Sequence, residues 1–334
     1  MAQSPERIQE FIEALKTSQD IDAVCDLEME YLSSHFPAAT TLKRTLTRYR
    51  NVVRESFEDE EFIKKVIAKL KLSKDEYQEI KSDYRDAVYS DHLQAGNRII
   101  DADELIIKAE ELLEAPGYCK KVLGVALLTG RRPIEILNSG SFHLASDIDA
   151  AIATVEKNPE ITSRENPRIA TRAQVEQRIA EIGGDDVILF SGQAKQKDSA
   201  DSALQPYAIP VLSDPQKILK AIEEIRELKP ELANFELSEE QKLKGKNVAT
   251  VINQKTSKSL NDKVTGAKHP KNFGELLPAE KCSVKHLRSA YASICWEFYG
   301  VESFGSQNLY MGLILGHSDK DLITCNSYLD FKVG

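Results

Sequence analysis

The chain has 334 residues, 41% of them hydrophobic and 29% charged, with a formal net charge of −9, a size and composition for two soluble domains rather than a disordered or fibrous chain. No apolar run approaches the roughly 20 residues of a bilayer span, and five scattered cysteines (Cys25, Cys119, Cys282, Cys295, Cys325) without a C-x-x-C pair, with six histidines lacking ligand spacing, point away from disulfides and a structural metal. The acidity excludes nucleic acid only on the sum, because basic residues gather in 41–54 and from Lys242 to Arg288 while acidic ones crowd 55–62 and 82–92; segregated charge permits a positive cleft inside an acidic exterior.

From residue 3 to about 115 the apolar positions fall three and four apart, the spacing of amphipathic helices, with breaks near Ser18 to Asp20, at 35–39, near Phe57 and at Ser73. "MAQSPERIQEFIEALK" lacks a signal-peptide core, so a cytoplasmic protein is expected. A helix from Thr40 or Thr41 to Arg54 carries Lys43, Arg44, Arg48, Arg50 and Arg54 alternating with Leu42, Leu46 and Val53. Such a helix is either a solvated basic face or one that lies along a DNA groove and reaches phosphates. A domain boundary is placed near residue 95, dividing a helical domain 1–95 from a second domain 96–334, and Asp101 or Asp103 caps the helix that follows.

"YCKKVLGVALL" reads as a buried helix delivering the chain into "LLTGRRPIEIL", residues 127–137. Two adjacent arginines beside a greasy run are either a solvated loop or a tight turn at Thr129 and Gly130 presenting Arg131 or Arg132 to a phosphate, which guanidinium binds through paired N–H donors. Beyond it, "VILFSG" (187–192) and "PYAIPVL" (206–212) read as a strand pair with Lys195 and Lys197 at the start of the loop between them. "SDPQKILKAIEEIREL" is a helix capped by Ser213 or Asp214, and a basic stretch with Lys255 and Lys258 follows it. "SVKHLRSAYASICWEFYG" reads as one helix capped by Ser283, with Leu287, Tyr291, Ile294 and Phe298 along one face and Lys285 and Arg288 together in its first turn. Helix dipole and free N–H groups there add to two cations and favour an anion. Gly316 and His317 then end another helix, and Tyr328 lies eleven residues past the histidine.

An arginine in a T-G-x-R turn, a hairpin lysine, K-x-x-R at a helix start, L-G-H and a late tyrosine, in that order, resemble the tyrosine recombinases. "TGRRPIEI", "FSGQAK", "YMGLILGH", "TTLKRTLTRYR" and Lys285, where phage integrases usually carry histidine, are similar to the telomere resolvase (protelomerase) branch. The resemblance implies an α+β, mainly α fold: a helical N-terminal DNA clamp joined to a tyrosine-recombinase-type catalytic domain, closing around DNA. It implies Arg132, with Glu135 as acidic partner, Lys195, Lys285, Arg288, His317 and Tyr328 as catalytic residues, and Lys43, Arg44, Arg48, Arg50, Arg54, Arg131, Lys255 and Lys258 as DNA contacts.

The implied chemistry is a tyrosine attack leaving a 3′-phosphotyrosine, charge neutralisation by the arginines, and a proton for the 5′-oxygen from Lys195. No cofactor, metal or ATP is expected. The product would be covalently closed hairpin ends, made by a homodimer on an inverted repeat of double-stranded DNA, with a nucleoid-associated location. Strand exchange by a site-specific recombinase, strand return by a type IB topoisomerase, and a catalytically inactive DNA-binding protein on the same fold are the alternatives.

Overall fold

The computed structural model describes residues 5–78, 82, 98–162, 168–182, 186–194, 204–243, 246–264, 273, 276–277, 283–301, 304–317 and 328–334. Contacts divide the chain into two compact units, Met1–Ser90 and Asp91–Gly334.

The first unit is helical over Pro5–Thr17, Ile21–His35, Ala39–Ser56 and Glu60–Lys69. Asp20 and Asp59 act as N-caps, accepting backbone N–H bonds from Ala23 and from Glu61 and Phe62 respectively, so the breaks fall where carboxylates replace missing intrahelical partners. Helix Ala39–Ser56 buries Leu42, Leu46, Tyr49 and Val53 against Phe11, Ile12, Leu32 and Val66. Glu28, 3% exposed, accepts from Tyr49 Oη at 2.6 Å and pairs with Arg7 at 2.6 Å, which satisfies a carboxylate inside the helical core.

The second unit is built around helix Tyr118–Thr129, which packs against helices Ala102–Glu114, Pro215–Leu228, Val248–Val264 and Val284–Cys295. Being enclosed by four helices, it buries every residue from Lys121 to Thr129 and so shows no amphipathic stripe. Lys121 reaches Glu224 at 2.7 Å, which accounts for a lysine in that run.

Beside it lies an antiparallel sheet, β2 (Ser141–Leu144), β3 (Val187–Ser191) and β4 (Tyr207–Pro210), in the order β2-β3-β4. Ile188 and Phe190 of β3, with Tyr207 and Ile209 of β4, face the main core. Val187, Leu189 and Ala208 face a second core formed with Ile148, Ala151, Val175 and Ile182. A strand buried on both faces needs no polar alternation, which explains the unbroken apolar run at 187–190. The second core comes from the segment between β2 and β3, which also holds helix Gln307–Leu315 through Tyr310 Oη donating to the Ile182 carbonyl at 3.1 Å.

The structure adds two elements the sequence reading did not assign and corrects one it did. β2, short and half-exposed, carries no strand signature that its sequence "SFHL" would reveal. "IEIL", to which the sequence assigns no element, enters a π-helical turn, Glu135–Ser139. The helix from Val284 ends at Cys295 and passes into a second π-helical turn, Trp296–Gly300; the wider turn rotates later residues off the original face, and Phe298 is accordingly 46% exposed instead of buried.

β1 (Ile99–Ile100) and β5 (Lys332–Val333) pair in parallel, joining the two ends of this unit. Cys25, Cys119 and Cys295 are free and buried. Among the described residues no helix is long and apolar enough to cross a membrane, and no His/Cys/Asp/Glu cluster could hold a metal ion.

Candidate active site

The turn after helix Tyr118–Thr129 is made by Gly130, whose φ of +64° and contact with the Tyr291 ring leave no room for a side chain. The two arginines that follow part company. Arg131 is 1% exposed and donates to Tyr207 Oη at 2.8 Å, to the Ile314 carbonyl at 2.7 Å and to the Thr129 carbonyl at 3.2 Å. Its guanidinium also lies over the Phe190 ring at 4.9 Å. Arg131 was expected to contact DNA; here it is buried, and three of its five N–H donors go to the turn, the sheet and helix Gln307–Leu315, tying those elements together.

Arg132 points the other way, with 20% of its side chain exposed, and pairs with Glu135 at 2.7 Å. Glu135, fully buried in the π-helical turn, also accepts from the Arg132 backbone N–H at 2.9 Å and from the Ala194 N–H at 3.2 Å. The Ala194 carbonyl in turn accepts from Arg132 at 3.3 Å. The residue before Lys195 is therefore fastened to the Arg132–Glu135 pair. Burial pushes the Glu135 carboxyl up, but the charges of Arg132, Arg288 and Arg131 outweigh it and hold the group below its ordinary value. Arg226 supports the turn from outside, donating to the Ile136 carbonyl at 3.1 Å and the Glu135 carbonyl at 3.4 Å.

Arg288, 4% exposed, donates to the Gly130 carbonyl and, at 2.9 Å, to the Leu315 carbonyl. Its Nη1 lies 4.0 Å from Glu135, and its buried Nε has no hydrogen-bond partner among the described residues. Burial, and next the charge of Arg132, pull its pKa down to about 10. The guanidinium sits 5.4 Å from the ring centroid of Tyr328, and the His317 ring centroid is 5.6 Å from that of the same tyrosine. His317 is placed by Gly316, whose φ of +69° ends helix Gln307–Leu315 hard against Tyr207 and Gln193.

Tyr328 is 7% exposed. Burial pushes its phenol up, yet Arg288, then Arg132 and Lys285, more than cancel that and the pKa lies below the ordinary tyrosine value. Lys285 is exposed one turn before Arg288. The structure thus brings Arg132, Lys285, Arg288, His317 and Tyr328 to one place, while Lys195 lies outside the described residues.

Residues 97–331 match the family model of the telomere resolvase ResT/TelK catalytic domain. The chain belongs to that family. Membership makes it a DNA-cleaving and rejoining enzyme of the telomere resolvase type. Its fold is similar to that of protelomerase TelA in a structure described as covalently complexed with substrate DNA, with a TM-score of 0.65 and 24% identity over 100% of this chain and 90% of that one. A TelA mutant complexed with DNA hairpin product gives a TM-score of 0.65 at 23% identity with the same coverage. Protelomerase TelK complexed with substrate DNA gives 0.53 at 17% identity, over 98% of this chain and 59% of that one. No curated protein matches the chain by sequence comparison.

In this telomere resolvase, Arg44, Arg48 and Arg54 are exposed on helix Ala39–Ser56 while Lys43 and Arg50 are half-buried. Lys43 Nζ lies 4.4 Å from the Tyr77 ring centroid, and Arg50 donates to the Leu46 carbonyl at 3.1 Å. Lys255 and Lys258 are exposed on helix Val248–Val264. His286, half-buried, accepts the Ser283 N–H on Nδ1 at 2.9 Å and closes the capping box of its helix. Sequence reasoning missed Tyr207 and Gln193, which seat the L-G-H turn; their positions in a strand and loop carry no spacing signal.

Proposed function

We propose that this telomere resolvase cuts each strand of a duplex through Tyr328 and reseals opposite strands into hairpin ends. Tyr328 Oη forms a bond to the scissile phosphorus, the P–O5′ bond breaks, and the 5′-oxygen takes a proton from Lys195; the phenol's own proton passes to solvent. Arg132 and Arg288 meet the charge on the non-bridging oxygens, and Lys285 and His317 add donors as that charge grows. The phosphotyrosine conserves the phosphodiester energy, so attack by the 5′-hydroxyl of the other strand rejoins the DNA and frees Tyr328. Two opposed strands require two tyrosines, hence a homodimer on an inverted repeat. Arg44, Arg48, Arg54, Lys255 and Lys258 serve as phosphate contacts.

One observation supports phosphate binding beside Tyr328, a feature that strand exchange and strand return would share, and hairpin formation rests on the family match. Arg288 spends two of its five N–H donors on carbonyls, its buried Nε finds no hydrogen-bond partner among the described residues, and its guanidinium lies 5.4 Å from the Tyr328 ring centroid; a buried cation with a donor to spare favours an anionic ligand. The test is incubation with a palindromic duplex in EDTA without ATP. A covalent adduct at a 3′-phosphate is expected, lost in Tyr328→Phe with binding retained, and hairpins that snap back after denaturation are the expected product. An adduct that persists in Tyr328→Phe overturns the nucleophile assignment, and joined heterologous duplexes overturn hairpin formation.

A further inference from the structure

Helix Val284–Cys295 buries two serines one turn apart, Ser289 and Ser293, at 0% and 3% exposure. A serine inside a helix ordinarily turns back to a carbonyl four residues earlier. Here both reach across to the segment that follows Tyr328: Ser289 Oγ donates to Asp330 Oδ2 at 2.6 Å and Ser293 Oγ donates to the Phe331 carbonyl at 3.0 Å. Phe331 enters the main core at 3% exposure. Beyond it, the Lys332 N–H donates to the Arg98 carbonyl at 2.9 Å and the Gly334 N–H to the Ile100 carbonyl at 3.1 Å.

Every residue from Asp330 onward is therefore anchored, and the anchor nearest the tyrosine runs to the neighbour of Arg288 in sequence. A carboxylate that is 8% exposed close to a phosphate site repels the ligand, so Asp330 has no use in holding DNA. Its bond to Ser289 fixes the backbone two residues past Tyr328 to the helix whose first turn carries Lys285 and Arg288. We propose that Ser289 and Asp330 are a positioning pair that sets the Tyr328 hydroxyl against Arg288. The catalytic consequence rests on Tyr328 being the nucleophile; the placement does not.

The experiment uses the full chain labelled with 13Cζ-tyrosine, the Tyr328 resonance being assigned with Tyr328→Phe. Ser289→Ala and Asp330→Ala are each expected to move that resonance and to raise the phenol's titration toward the ordinary value, because the ring leaves the guanidinium. Asp330→Asn, which keeps an acceptor for the serine hydroxyl, should stay near wild type, and the double alanine variant should be no worse than either single one. On a palindromic duplex the alanine variants should form adduct about 10- to 100-fold more slowly at unchanged DNA affinity. An unmoved Tyr328 resonance in Ser289→Ala, or Asp330→Asn behaving as Asp330→Ala, overturns the pair. A resonance that moves while wild type forms no adduct supports the pair and overturns the nucleophile reading instead.

Discussion

Among the described residues Glu135 is the carboxylate that faces the buried arginines, and replacing it with glutamine isolates what its charge does. The side chain is 0% exposed and accepts from the Arg132 guanidinium, the Arg132 N–H and the Ala194 N–H, with Arg288 4.0 Å away. Glutamine keeps the shape and one oxygen but turns an NH2 toward groups that are themselves donors. Breaking one partner of a buried pair costs about 3–5 kcal/mol, because it leaves uncompensated charge. For a domain of this size that is a fall of about 6–20 °C in Tm. Scanning calorimetry or circular dichroism in low phosphate measures it.

The pH dependence supplies a second check. The folded carboxyl is depressed, so its stabilisation is present above the ordinary carboxylate range and disappears as pH falls through the folded value. Glu135→Gln should flatten that acid limb of the stability curve, and its deficit should narrow when duplex DNA or a high concentration of phosphate supplies the missing anion. A Tm within about 1 °C of wild type, with an unchanged acid limb, would refute the claim that Glu135 neutralises the cluster.

Arg131→Met should lower stability by about 2–4 kcal/mol through its orphaned carbonyl and hydroxyl partners, while DNA affinity per folded molecule stays the same; a selective loss of affinity would return Arg131 to the interface. Lys285→Ala removes one of the charges that depress the Tyr328 phenol, so less phenolate forms at a given pH and the acid limb of the adduct-formation rate should move to higher pH in single-turnover assays. Alanine at Arg44, Arg48 and Arg54 together should reduce the slope of log affinity against log salt by about 2–3, and an unchanged slope takes helix Ala39–Ser56 out of DNA binding.

What could be read from the residues follows from which signals are local. Helix breaks at Asp20 and Asp59 and the two strands flanking Lys195 are legible because caps and turns act over a few residues. The positions of Arg132, Arg288, His317 and Tyr328 follow from the order of motifs. The division of labour between Arg131 and Arg132 was not legible: it depends on Tyr207 and Ile314, which are distant in sequence and reach the turn only through tertiary packing. Phe298 was misplaced for a related reason, since the π-helical turn at Trp296–Gly300 changes the phase of the helix without any proline or glycine at its start to announce it.

Two adjacent arginines fit beside a greasy helix because of where that helix stops. Helix Tyr118–Thr129 and helix Gln307–Leu315 both end at a left-handed glycine, Gly130 and Gly316, and C-terminal carbonyls there lack intrahelical partners. Gly130 and Leu315 give theirs to Arg288, and Ile314 gives its own to Arg131, so each buried guanidinium completes a helix end. Each such end also carries about −0.5 of an elementary charge from the helix dipole. Among the described residues, three guanidinium groups and Lys285 are set against the Glu135 carboxylate and two such ends, which leaves the centre positive. A phosphodiester beside Tyr328 would offset part of that positive charge. The fold thus supplies enough negative charge to let three arginines converge, and leaves the centre positive where the proposed chemistry places the phosphate.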